Sequence, residues 1–290
     1  MKRRFYQLDV FTRRPYHGSP LAVVTDADGL RPSQMQAIAR EMNLPETVFV
    51  QKPTTNHPLA RLRIFTPQRQ ELPLASRSIV GTWFLLAELG VVPAQEGAVR
   101  VLQQTGAGVL PVEIFFEEGR PRLVTITQRP ARFRPARLDR KELTASLGLR
   151  ARDIHARLPV EYVTTFISNL VIPLASPSSF ARIEPNPSLL RKLLGGGSGM
   201  ASCCAIGDRQ VRARVVLPWE LAEESTAAGT IGAYLVRHGE KEAGHPMQIL
   251  QDIEKGRSCE IYVNVAQTGS ELTPRISGSA VRVFEGHLEA

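Results

Sequence analysis

The chain is short of several things, and each shortage removes a class of function. Its 290 residues hold three cysteines, Cys203, Cys204 and Cys259, too few for a disulfide framework and in keeping with a reducing compartment. Its six histidines (His17, His57, His155, His238, His245 and His287) are scattered with no pair at metal-ligand spacing. Neither a zinc finger nor a hydrolytic zinc helix can be drawn, so no metal is expected. No apolar run approaches the ~18 residues of a membrane span. The opening Met1-Lys2-Arg3-Arg4-Phe5-Tyr6-Gln7-Leu8-Asp9 is basic like a signal peptide but meets Gln7 and Asp9 where an apolar run should follow. It reads as the first strand of a cytoplasmic protein with no membrane partner. No dinucleotide fingerprint follows a strand, and the surroundings of Ser198 and Ser279 do not match a nucleophile elbow. The glycine run at 195–199 lacks the Lys-Ser/Thr of a phosphate loop and follows a helix-like leucine stretch, so it reads as a helix stop and a loop. What these absences leave is a cofactor-free mechanism or no catalysis.

At 43% hydrophobic and 22% charged the chain is globular, and its length suits about two domains. The net charge of +8 is carried by 30 arginines against 6 lysines. One cluster is dense: Arg129, Arg132, Arg134, Arg137, Arg140 and Lys141, interrupted by Pro130 and Pro135. Those prolines favour a solvated linker over a binding helix. Without an aromatic-rich or zinc-type reading module, a nucleic-acid partner is not expected.

Period-two apolar runs bounded by turn residues predict strands at 5–11, 21–24, 47–50, 59–65, 99–102 and 109–115, then at 162–165, 170–174, 203–206, 211–217, 261–265 and 280–284. A helix begins at Pro32, with Met35, Ile38 and Met42 on one face. Asp139-Arg140-Lys141-Glu142 opens a short helix that stops at Gly148. Two helices, 78–89 and 226–236, are apolar nearly all round and resemble each other from Gly81-Thr82 and Gly229-Thr230 onward. A helix of that kind is enclosed by a sheet. The pattern is a weak repeat in an α+β chain of two related domains: 1–127, an Arg/Pro-rich linker at 128–141, and 142–290, whose final strand is free to pack on the first domain. A crevice between such domains is a common ligand site.

One carboxylate stands out. In Asn43-Leu44-Pro45-Glu46-Thr47-Val48-Phe49-Val50, Glu46 follows a helix-ending proline at the mouth of an apolar strand. Desolvation there would raise its pKa toward general acid/base use. The plainer reading is a strand-edge glutamate paired with one of the many arginines.

From Glu46 outward the chain resembles the phenazine-biosynthesis PhzF-like family, relatives of diaminopimelate epimerase. The matching stretches are Leu8-Asp9-Val10-Phe11-Thr12, Gly18-Ser19-Pro20-Leu21-Ala22-Val23-Val24, the run from Met35 to Val50, Phe65-Thr66-Pro67 and Gly81-Thr82. In the second half Gly232-Ala233-Tyr234-Leu235, Gly256-Arg257-Ser258 and Ala280-Val281-Arg282-Val283-Phe284-Glu285-Gly286 also fit. The resemblance implies two pseudo-symmetric domains, each a curved, mostly antiparallel sheet around a central helix, with the site in the cleft between them. It implies a homodimer and a cofactor-independent isomerase or epimerase acting on a small carboxylate-bearing metabolite. The family's catalytic glutamate maps onto Glu46, as base and then as acid. Gly18, Ser19, Ser76, Arg77, Ser78, Ser225 and Thr226 map around the substrate, with the hydroxyls at 76, 78, 225 and 226 placed to cap the two central helices and contact ligand.

Two departures matter. The family's histidine before the first central helix is Arg77 here, which stays protonated and grips a carboxylate but does not shuttle protons. Its Glu-Asp-Pro-x-Thr-Gly-Ser before the second is replaced by Glu220-Leu221-Ala222-Glu223-Glu224-Ser225-Thr226-Ala227. The first half has no cysteine, so a two-thiol racemase is excluded, and Cys203 and Cys204 are expected to pack in a strand. A family member that has lost turnover and only binds a ligand or partner is the alternative to an isomerase.

Overall fold

In the computed structural model the described residues are 2–68, 70–195, 200–207, 210–217, 227–251, 253 and 256–290. The chain forms two compact units, Met1–Thr127 with Ser277–Ala290, and Gln128–Ile276. In the first unit, β1 (Lys2–Val10) pairs antiparallel with β2 (Ser19–Val24), Phe5 facing Val24 and Val10 facing Ser19. The closing strand Ala280–Glu289 covers the other edge of β1, from Lys2↔Glu289 to Val10↔Ala280. A crossover through α1 (Pro32–Met42) brings β3 (Thr47–Gln51) in parallel to β2. Proline occupies the start of α1, where its missing N–H costs nothing, and the helix buries Met35 and Ala39. Then come β4 (Ala60–Thr66), antiparallel to β3, the short β5 (Gln70–Leu72), and α2 (Ser76–Glu88). After α2, β6 (Gly97–Thr105) runs parallel to β4 and continues into the hairpins β7 (Gly108–Glu117) and β8 (Arg120–Thr127).

Helix α2 is buried from Ser76 to Ala87 and packs against β1, β2, β3, β7, β8 and the closing strand. A helix with no polar face has to be enclosed in this way. The approach to the sheet is close at Gly81, where a Cβ would stand 2.6 Å from a Leu21 methyl and 2.7 Å from one of Val10. Trp83, fully buried, donates from Nε1 to Gln103 Oε1 at 2.7 Å.

The second unit starts with β9 (Arg132–Pro135), antiparallel to β10 (Glu161–Thr164). Within the stretch read as a solvated linker, Arg132–Pro135 is thus a strand of this unit. Its side chains are used inside the unit: Arg134 stacks over Tyr162 at 4.2 Å, and Phe133 is covered by Arg237 at 4.4 Å. Such cation–π contacts give a basic strand something to pack on. Next, α3 (Arg140–Leu147) is capped by Asp139, which accepts from the amides of Lys141 and Glu142, and ends at Gly148 in the left-handed region. Strand β10 pairs with β11 (Ser168–Pro173); α4 (Pro187–Leu193) then leads to β12 (Met200–Ile206), parallel to β11. After β12 come β13 (Val211–Val216), α5 (Ala227–Arg237), β14 (Met247–Gln251) parallel to β13, β15 (Cys259–Thr268) and β16 (Glu271–Gly278). The closing strand is β17.

Each unit therefore repeats one topology: an antiparallel pair, a helical crossover to a parallel strand, an antiparallel partner, a buried helix, then a parallel strand and a hairpin. Helix α5 packs against β10, β11, β12 and β15, as α2 does in its own sheet. Among the described residues no helix is long and apolar enough to cross a membrane.

Candidate active site

Helix α1 ends at Asn43, which adopts the left-handed conformation at φ 49°. Pro45 then cannot continue a helix, so the chain turns within three residues into β3. Glu46 lies at that turn, its carbonyl accepting from the Ala22 amide at 3.3 Å, and its side chain is buried. The neighbouring β1–β2 connection is fixed by Asp9, itself buried, which accepts from the Tyr16 amide at 2.6 Å. Gly18 closes this loop at φ +63°, where a Cβ would stand 2.3 Å from the Val10 carbonyl oxygen. Only glycine fits there, and it sets Ser19 at the start of β2.

The first turn of α2 meets both. Arg77 Nη2 donates to Glu46 Oε1 at 2.6 Å, and both side chains are 3% exposed. Arg77 Nη1 donates to Ser19 Oγ. Ser78 Oγ donates to the other oxygen, Glu46 Oε2, at 2.5 Å. Ser19, Glu46, Arg77 and Ser78 thus form one buried cluster drawn from β2, the α1–β3 turn and α2. Ser76 is buried in the same helical turn, and Gly18 adjoins Ser19. Ser225 and Thr226 lie outside the described residues.

Two sequence expectations change. Ser76 and Ser78 do not cap α2: the cap position is Ala75, which makes no side-chain cap bond. Ser78 instead spends its hydroxyl on Glu46. The surroundings of Glu46 are also not apolar alone, and of its two readings the pairing with an arginine is the one seen. Its carboxylate meets a guanidinium and a hydroxyl, so the arginine expected to grip a substrate is joined directly to the expected acid/base. A carboxylate has about four lone-pair sites, of which the two hydrogen bonds above use one on each oxygen.

Sequence reasoning passed over two hydroxyls. Thr47 Oγ1 and Thr82 Oγ1 are buried with no hydrogen-bond partner among the described residues. Thr82 lies one turn beyond Ser78 on α2, and Thr47 adjoins Glu46 in the chain. The signal for both was position alone, next to residues already singled out.

The second unit holds a neutral polar cluster near the corresponding strand pair. Ala22 faces Thr47 across the parallel pair in the first unit, and Val171 faces Ser202 in the second. The residue preceding Ser202 is Ala201, where the first unit has Glu46. Around it, Asn169 Nδ2 donates to Thr230 Oγ1 at 2.7 Å, Ser202 Oγ donates to Asn169 Oδ1 at 3.0 Å, and Thr230 Oγ1 donates to the Ala227 carbonyl at 2.7 Å. Cys203 and Cys204 pack in β12 as expected, and burial pushes the Cys203 thiol up to about 12 and that of Cys204 up as well. Such thiols carry almost no thiolate at neutral pH and make poor nucleophiles or bases.

This architecture is shared with known proteins. The PhzC-PhzF family model, described as phenazine biosynthesis-like protein, matches residues 8–286. The chain belongs to this phenazine biosynthesis-like family. Within it, trans-2,3-dihydro-3-hydroxyanthranilate isomerase of Pseudomonas fluorescens is 32% identical over 287 residues, 97% of this chain and 97% of its own length. The crystal structure of a PhzF-family phenazine biosynthesis protein from Bacillus anthracis superposes with a TM-score of 0.87 at 26% identity, covering 100% of both chains. A probable proline racemase from Agrobacterium radiobacter shares the fold alone, at a TM-score of 0.68 and 12% identity, covering 99% of this chain and 93% of that one. The fold is the diaminopimelate epimerase-like one expected from the family resemblance.

Proposed function

We propose that this member of the phenazine biosynthesis-like family is an isomerase of a small carboxylate-bearing metabolite. Glu46 takes a proton from one carbon and returns it to another, acting as base and then as acid. Arg77 binds the substrate carboxylate with its planar fork. Ser19, Ser76, Ser78 and the backbone at Gly18 line the bound acid. The chemistry needs no bound cofactor, because one carboxylate serves both proton transfers. The observation that carries this reading is the buried Glu46–Arg77 pair at the first turn of α2, hydrogen-bonded on one side by Ser19 and on the other by Ser78. The named activity of the Pseudomonas fluorescens relative supports the substrate class, since its substrate is a ring acid.

The test is turnover of trans-2,3-dihydro-3-hydroxyanthranilate and a panel of related acids, followed by NMR. Glu46→Gln is expected to lower turnover by about 10²–10⁴-fold. Equal turnover by both proteins removes Glu46 from the mechanism. One observation favours a second reading, a binding protein without turnover: both Glu46 oxygens are already engaged by donors. Ligand-dependent thermal stabilisation with no product across the panel would select it. The homodimer implied by the family resemblance is part of the proposal, and a monomeric mass by light scattering would remove it.

A further inference from the structure

The Glu46–Arg77 pair poses a problem for any substrate. Each Glu46 oxygen keeps one lone pair, but the guanidinium on Oε1 and the Ser78 hydroxyl on Oε2 both stabilise the carboxylate's charge and so weaken it as a base. A neutral molecule that drew Arg77 away would leave two buried charges without compensation, which is strongly unfavourable. A molecule with its own carboxylate offers Arg77 a replacement of the same charge and geometry. Ser19 holds Nη1 in the free protein, so a change of partner at Nη2 leaves the guanidinium anchored in the site.

Resting on Glu46 as the proton-moving group, we propose that Arg77 is a shared cation: Glu46 holds it in the free protein, and the substrate's carboxylate takes it over and so frees Oε1. Arg77 then determines specificity as well as affinity. Amides and esters of the substrate leave Glu46 occupied. Glu46 and the substrate carboxylate compete for one guanidinium, so apparent affinity for the acid is lowered by the fraction of Arg77 that Glu46 retains.

The competition is read by calorimetric titration with anthranilate, the aromatic relative of the ring acid named above, and with anthranilamide as the neutral control. Glu46→Gln removes the competitor and should tighten anthranilate at least about tenfold, with anthranilamide changed less than about twofold. Arg77→Gln should abolish the preference for anthranilate, and adding Glu46→Gln to that variant should give no tightening. Where Arg77→Gln does not fold, Arg77→Lys keeps the charge without the fork, and there the Glu46→Gln gain should fall below about threefold. Three results overturn the proposal: no tightening in Glu46→Gln, no anthranilate binding to it at millimolar concentration, or a full gain that persists without the Arg77 fork and so reports plain charge repulsion. Binding is read without turnover, so these outcomes stand apart from whether any product forms.

Discussion

Replacing Arg77 with methionine strands a carboxylate inside the first unit. Both side chains of the Glu46–Arg77 pair are 3% exposed, so water does not take over the role of the lost cation. Removing one member of such a buried pair typically costs about 3–5 kcal/mol, because the remaining charge is uncompensated. Against a total stability of roughly 5–15 kcal/mol for a domain, that is a large fraction. The Ser78 hydroxyl stays on Oε2 and moderates the loss without neutralising the charge. Adding Glu46→Gln removes the stranded charge, so the double variant should recover most of the stability, with a coupling energy of at least about 2 kcal/mol. Urea unfolding followed by Trp83 fluorescence, in a Trp219→Phe background, reports on the first unit because Trp83 is buried in α2. A loss below about 1 kcal/mol in Arg77→Met, or a double variant no more stable than the single, refutes the view that the pair is a buried, mutually dependent charge cluster.

Three further outcomes follow from packing and burial. Gly81→Ala brings a methyl to 2.6 Å from Leu21 and 2.7 Å from Val10; overpacking of about 1–3 kcal/mol should outweigh a helix-propensity gain of about 1 kcal/mol, and a more stable variant by urea unfolding contradicts the tight approach. All three cysteines are buried, with the Cys203 thiol pushed up to about 12, so Ellman's reagent at pH about 8 should label the native protein only as fast as it unfolds; rapid labelling would contradict the packing of β12. Asp153 is held below the ordinary carboxylate range, first by the Arg182 guanidinium and then by the Arg150 amide. A depressed folded-state value means stability present above pH about 4 and lost as the pH falls through that lower value. Asp153→Asn should therefore flatten the acid limb of stability measured by denaturant titration, and an unchanged limb removes Asp153 from it.

Much of the fold was legible because its signals are local. Alternation in the runs around Tyr6, Ile64, Val112 and Val263 marks strands with one buried face, and the uniform apolarity of α2 and α5 marks enclosed helices. Among the described residues five strands, β5, β8, β9, β14 and β16, escaped sequence reading, and β14 (Met247–Gln251) is only five residues long. Strands β8, β9 and β16 each contain a proline (Pro121, Pro135, Pro274), which argues against a strand when read alone; β7 and β11 contain one too (Pro111, Pro173), where the surrounding apolar residues still mark the strand. Pro121 is accommodated opposite a register shift at Phe115/Phe116, and Pro135 ends its strand. Strand β5 spans only three residues, and β9 reads as a charged linker until Arg134 and Phe133 find aromatic and cationic partners in β10 and α5. At the site, Glu46, Ser19, Arg77 and Ser78 were each legible from the family pattern and the local turn signals. That Glu46 pairs with an arginine was the plainer reading of the sequence; which arginine was not legible, because Glu46 and Arg77 are separated by 31 positions and meet only when the first turn of α2 is set against the α1–β3 turn. The misjudged cap has the same origin: which residue precedes the first helical one depends on where that turn starts, and Ala75 carries no cue.

The most direct measurement is deuterium exchange at carbon-bound hydrogens of trans-2,3-dihydro-3-hydroxyanthranilate in heavy water, comparing the wild-type protein with Glu46→Gln. Exchange or carbon-to-carbon transfer catalysed by the wild type and reduced at least about a hundredfold in the variant is the expected result. Equal rates in the two proteins would show that the buried carboxylate beside Arg77 moves no proton.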